Sequence, residues 1–173
     1  MPRIDASTAT CRVFTFKDGM LSAVAHDLEL TVGRFTVDVD AQLAVTARFA
    51  TDSVRVLHAV KDGRPTTQLS DGDKRKIEAS MAADVLAVRR FPEATFAGQA
   101  VAVGDAYRVT GELTLHGKTR PLTVTTRAVD GAQVAEVTLH QPDFGIKPYT
   151  AMLGTLKVKA DLTVRLTVPW SAA

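Results

Sequence analysis

Few side chains in this sequence can do chemistry, and their spacing limits what they can do. Four histidines and one cysteine are spread over 173 residues. His26 is followed directly by Asp27, but neighbours on an extended strand point to opposite faces, so the two cannot form a simple catalytic dyad. His58 lies in a polar stretch, and His116 and His140 fall on polar faces or turns. None has the His-x-His or His-Glu-x-x-His spacing with which histidines share a metal ion. Cys11 stands alone, which excludes an intrachain disulfide or a cysteine-based metal site. As a nucleophile it would need a base beside it, whereas a lone cysteine in a strand is ordinarily small packing. There is no glycine-rich phosphate loop. These residues assign no catalytic group, metal or resident cofactor.

Charge excludes a further class. Lys and Arg total 21 against 19 Asp and Glu, a formal charge of +2. Basic residues cluster only at Lys74-Arg75-Lys76 and Arg89-Arg90, too few for a nucleic-acid backbone. Apolar residues make up 46% and charged residues 23%, ordinary for a globular chain, and one domain over residues 1–173 is expected. The opening Met1-Pro2-Arg3-Ile4-Asp5 carries no apolar signal region, and no stretch approaches the roughly 18 apolar residues of a membrane span. A cytoplasmic location is the expectation.

The elements that must position these side chains show in a two-residue beat. From Phe35 to Phe49 the odd positions are apolar and the even ones mainly polar. The same alternation sets Tyr107, Val109, Leu113 and Leu115 against polar neighbours, and runs from Leu156 to Val168. Shorter versions occupy Val24–Val32, Leu122–Ala128 and Ala135–Leu139. Lys17-Asp18-Gly19, Gly104-Asp105, His116-Gly117-Lys118 and Asp130-Gly131 are turn chemistry between them. One segment keeps a different period: Ile77, Met81 and Val85 recur every four residues, predicting a helix over Asp71–Val88 with Ser70 as N-cap and Asp73 completing a capping box. Lys61–Leu69 reads as a mobile loop. Seven or eight strands with one apolar face each can close into a barrel or pair as a sandwich.

The inner face would carry small residues such as Val37, Val39, Ala41, Val45, Ala47, Val109, Val158 and Ala160, and only 6% of the chain is aromatic. A hollow interior holding an apolar guest and a dry sandwich both satisfy this composition. In the hollow case His26 shares the inward face with Val24 and Leu28 and reaches a ligand's polar group. Phe14, Phe16, Phe35, Phe96, Phe144, Tyr107, Tyr149 and Met152 supply the bulk that grips a chain. Met81 and Val85 close the lumen as a lid, with Leu113 and Leu115 on the wall. A phosphate on the guest would be met at the mouth by Lys118, Arg120 or Lys147.

Four segments in order resemble the YceI-like family of lipid-binding barrel proteins: Val24-Ala25-His26-Asp27-Leu28 with Gly33-Arg34-Phe35; Ile77 through Leu86 with Phe91-Pro92-Glu93-Ala94-Thr95-Phe96; Val109 through Pro121; and Asp143-Phe144-Gly145-Ile146-Lys147. The resemblance implies an all-β fold with one helix, a lipocalin-like antiparallel barrel of about eight strands. Its lumen would hold a polyisoprenoid, a quinone or a fatty-acyl amphiphile, without enzyme activity. On this reading the chain is expected to differ from common members in having no secretion signal, and it carries Val54–His58 and Gly63–Gln68 where those are often shorter. A carrier, sensor or storage role follows. The alternatives are a small hydrolase or isomerase built on His26, and a homodimeric interaction module using an exposed sheet edge or the inner face of a sandwich.

Overall fold

The computed structural model describes residues 3–18, 26–151 and 156–170. In chain order its strands begin with β1 (Ile4–Asp5), β2 (Thr10–Thr15), β3 (Lys17–Asp18), β4 (Asp27–Val32), β5 (Phe35–Val39) and β6 (Ala44–Ala50). A short 3-10 turn, Thr51–Ser53, leads to β7 (Val54–Lys61) and β8 (Arg64–Thr66). The helix α1 (Asp71–Ser80) then runs into one π-helical turn, Met81–Val85. Next come β9 (Glu93–Val103), β10 (Ala106–Leu115), β11 (Lys118–Thr125), β12 (Arg127–Val129) and β13 (Ala132–His140). A 3-10 turn over Gln141–Phe144 precedes β14 (Thr150–Ala151), β15 (Leu156–Val158) and β16 (Asp161–Val168).

All pairings are antiparallel, in two large sheets, β1-β5-β6-β9-β10-β11 and β12-β13-β16-β2-β4-β7-β8. Four strands bend from one sheet into the other: β1 into β2, β4 into β5 through Gly33-Arg34, β6 into β7, and β11 into β12 through Thr126. Taking each bent pair as one strand, the order is β9, β6/β7, β5/β4, β1/β2, β16, β13, β12/β11, β10 and back to β9. Every neighbour in that ring is hydrogen-bonded to the next over part of its length. A third, small sheet, β14-β15-β3, prolongs β2 and β16 beyond the ring. The wall is therefore a barrel of two arcs joined at bent corners.

Local chemistry explains the turns. Asp62-Gly63, His116-Gly117 and Asp130-Gly131 all have positive φ at both positions, as a two-residue hairpin matched to strand twist requires. The run Phe35–Phe49, continuous in the sequence, is two strands. Asp40 closes the hairpin by accepting, at Oδ1, the backbone N–H groups of Gln42 and Ala44 at 2.9 Å. Register hides this turn: Phe35 pairs with Phe49, Val37 with Ala47 and Val39 with Val45, so odd meets odd and the beat never breaks. Ala41 is accordingly exposed on the turn rather than inside. Leu156–Val168 also splits, at Lys159-Ala160, where β15 leaves the ring for the small sheet.

Lys61–Leu69, expected as a loop, is in part the β7–β8 hairpin, with Lys61 opposite Arg64. Pro65 is tolerated because β8 is the outermost strand of its sheet and needs no donor on its far side. In α1 the Ser70 hydroxyl accepts from the Asp73 N–H at 3.1 Å and the Asp73 carboxylate accepts from the Ser70 N–H at 3.2 Å, the expected capping box. Helical structure stops at Val85, not Val88, because Leu86 N–H bonds back five residues to Met81 at 2.8 Å and Ala87 takes a left-handed φ of 46°. Glu78 accepts the Val56 N–H at 3.3 Å, tying α1 to β7 where β8 does not reach.

Candidate ligand-binding site

Alternation turns one face of each bent strand inward, and the ring encloses a cavity of about 980 Å³. That is at the top of the range of roughly 300–1,000 Å³ usual for small-molecule sites. Its wall is made by Cys11 and Val13 from β2, Leu28, Leu30 and Val32 from β4, and Val45, Ala47 and Phe49 from β6. Val109, Leu113 and Leu115 come from β10, Ala135, Val137 and Leu139 from β13, and Leu162, Val164, Leu166 and Val168 from β16. Ile77, Met81 and Val85, one stripe of the helical segment, complete it.

The two ends differ. At the floor, the ring of Trp170 stacks on Tyr107 with centroids 4.2 Å apart and planes 19° from parallel, packed with Ile4, Ala9 and Val39. Polar atoms near this end are already bonded: Thr126 donates from Oγ1 to Gln133 Oε1 at 2.5 Å and accepts the Tyr107 N–H at 2.9 Å, and Gln133 Nε2 donates to the Asp105 carbonyl at 2.8 Å. Among the described residues no buried side-chain polar atom lacks a partner. The opposite end carries His26, Gln68, Asp73, Lys76, Ser80, Tyr149 and Lys157. Within the barrel Gly98 and Gly111 face each other across β9 and β10, and a Cβ on Gly98 would strike the Phe96 ring, which lies over it.

Of the residues expected to contact a guest, His26, Leu28, Val37, Met81, Val85, Phe96, Val109, Leu113, Leu115, Phe144 and Tyr149 line the cavity. Four do not. Phe14 points outward, since Cys11, Val13 and Thr15 hold the inner face of β2, and the Arg165 guanidinium lies 4.8 Å above its ring. Phe16 sits at the break between β2 and β3, off the wall. Phe35 is buried against Phe49, at 5.8 Å, and Phe49 takes the lumenal place. Tyr107 lies behind Trp170, which the alternation did not single out because it follows the last strand. Val24 and Met152 fall outside the described residues. Lys118, Arg120 and Lys147 are off the wall; Arg120 instead lines a side cleft of about 270 Å³ between β11 and β13, with His140 and Asp143. Lys76 and Lys157 are the lysines on the lumenal wall, and no periodic signal marked them.

Burial pushes the Cys11 thiol up to about 12, so it stays protonated and inert near neutrality. Asp27 accepts the Lys17 N–H at 2.7 Å and serves the backbone. The two histidine–carboxylate pairs belong to other places: His58 with Glu29 at 2.6 Å, near Arg12, and His140 with Asp161 at 2.6 Å, both off the cavity wall. The bond from Asp161 holds the His140 pKa above its ordinary value. His116, on its hairpin turn, packs against Phe91 with ring centroids 4.4 Å apart and planes tilted by 47°. Among the described residues no three His, Cys, Asp or Glu side chains gather as metal ligands, and no helix is long and apolar enough to cross a membrane.

The fold has solved counterparts. Burkholderia cenocepacia BcnA superposes with a TM-score of 0.66 at 17% identity, over 95% of this chain and 98% of that one. A polyisoprenoid binding domain from Saccharophagus degradans, implicated in plant cell wall breakdown, gives 0.60 at 12% identity over 92% and 91%. The Campylobacter jejuni YCEI protein gives 0.62 at 13% identity, covering 91% of each chain. No curated protein matches in sequence. The family model of the YceI-like domain matches residues 3–170, and on that match the chain belongs to the YceI-like family.

Proposed function

We propose that this protein binds one long apolar ligand, a polyisoprenoid, quinone or fatty-acyl amphiphile, inside its barrel, as a carrier, sensor or store and without catalysis. One observation carries the reading: Val13, Phe96, Val137, Leu162, Val164 and Leu166 all point inward yet remain only half-buried, because they face the 980 Å³ space rather than other side chains. Exposed apolar surface in a preformed concave site is an unmet demand for a guest. Each 100 Å² of it removed from water contributes about 2.5 kcal/mol, before the cost of ordering the ligand. The polyisoprenoid-binding description of the Saccharophagus degradans neighbour agrees with this class of guest.

Organic extraction of the purified protein, followed by mass spectrometry, tests it. A near-stoichiometric long-chain lipid is expected in the extract, and the stripped protein should take up geranylgeraniol. An empty extract together with no uptake would remove the proposal.

A further inference from the structure

The ionisable side chains His26, Asp73, Lys76 and Lys157 on the cavity wall all stand at its mouth, and their charges are unequal. We infer that the ligand's headgroup is a compact oxyanion, phosphate or carboxylate, held at the mouth by Lys76 and Lys157; this rests on the lumenal binding proposed above. Three elements converge on the rim: His26 before β4, Gln68 to Ser80 from α1 and its approach, and Tyr149 and Lys157 from the small sheet. On α1 the lining residues Asp73, Lys76, Ile77, Ser80 and Met81 are spaced three to four apart, one face of the helical segment, so the Lys76 stem runs along the lumenal side.

The balance of charge favours an anion. Among the described residues neither Lys76 nor Lys157 has a carboxylate within 4 Å. Asp73 is the one acid on the wall, and its carboxylate is engaged by the Ser70 N–H. Ser70 holds its pKa below the ordinary value, with Lys76 and His26 contributing, so it stays ionised and offsets one lysine. Asp18, opposite Lys157 in the β3–β15 register, does not line the cavity or reach the ammonium group within 4 Å. With Lys76 and Lys157 against Asp73 alone, the surplus at the rim is positive. A quaternary ammonium head would meet two lysines and a single aromatic, Tyr149, rather than the cage that such a cation favours. Because the inner wall is apolar and its polar atoms are satisfied, the tail enters first and the head stays at these cations.

Three probes with one tail and different heads decide this: geranylgeranyl phosphate, geranylgeranoate and geranylgeraniol, titrated into the stripped full chain and followed by Trp170 fluorescence. At least one anion should bind about tenfold tighter than the alcohol, the combined effect of two solvent-accessible ion pairs, and the gap should shrink with added salt. The tighter anion names the head. The double variant Lys76→Met/Lys157→Met should lose the gap while keeping the wild-type affinity for geranylgeraniol, which also reports its folding. If the alcohol binds as tightly as both anions, or if the double variant keeps the gap, the headgroup assignment is wrong and the lumenal reading survives. If none of the three binds, both fall.

Discussion

The floor and the middle of this barrel are made by the same strands, yet they are packed differently. At the floor Ile4, Val39, Tyr107 and Trp170 are each no more than 6% exposed. Farther along, Val13, Val137, Leu162 and Val164 occupy the same inward face and remain half-open. Hydrophobic alternation is equal in both regions. What differs is the filling: the β1 strand, the Asp5–Ala9 turn and Trp170 plug one end, whereas among the described residues nothing enters the middle. The floor supplies the cohesion that a hollow wall lacks, and the wall keeps the space that a dense core would deny.

The largest way to test this contrast is at the floor. Trp170→Ala should destabilise the protein by about 3–5 kcal/mol in denaturant unfolding, since it deletes a close-packed aromatic and its stack on Tyr107. Val109→Asp, at an inner-wall residue only 8% exposed, should lose several kcal/mol or abolish uptake by placing a charge among apolar side chains. Wild-type melting and wild-type uptake of that variant would refute its inward position.

In the hollow region Leu162→Ala should cost about 1 kcal/mol in the stripped protein, below the usual 2–5 kcal/mol of a core leucine, because part of the side chain already faces empty space. Val164→Phe should leave stripped-protein stability within about 1 kcal/mol while cutting uptake, as the added ring occupies lumen rather than forcing an overpacked core. A melting temperature lowered as far as by an overpacked floor would show that the middle is solid.

The smallest effect lies outside. His140, held above its ordinary pKa by Asp161, binds its proton more tightly folded than unfolded. The pair's contribution to stability is thus fully present below the ordinary histidine pKa and fades as pH rises through the raised value. Asp161→Asn should return the His140 titration, followed by NMR, toward the ordinary value without altering uptake of geranylgeraniol.

Much of the architecture was legible beforehand. The alternation marked the inner faces of β4, β10 and β16, and Ser70 with Asp73 marked the start of α1. Size alone misplaces some aromatics: Phe14 and Phe16 are bulky, but the neighbouring Cys11, Val13 and Thr15 set the inward parity of β2. Phe35 and Tyr107 have the inward parity but lie behind Phe49 and Trp170. The hairpin at Asp40 was invisible because its even register preserved the beat.

What this sequence determines by itself is therefore local: which face of a strand is apolar, where a turn accepts positive φ, and where a helix is capped, each decided by residues a few positions apart. The tertiary structure alone decided that four strands bend across two sheets, that one end is plugged and the middle left open, and that Lys76 and Lys157 reach one rim. Those properties depend on how many strands complete the ring and what enters it, a balance of volumes summed around the whole barrel that no single segment encodes.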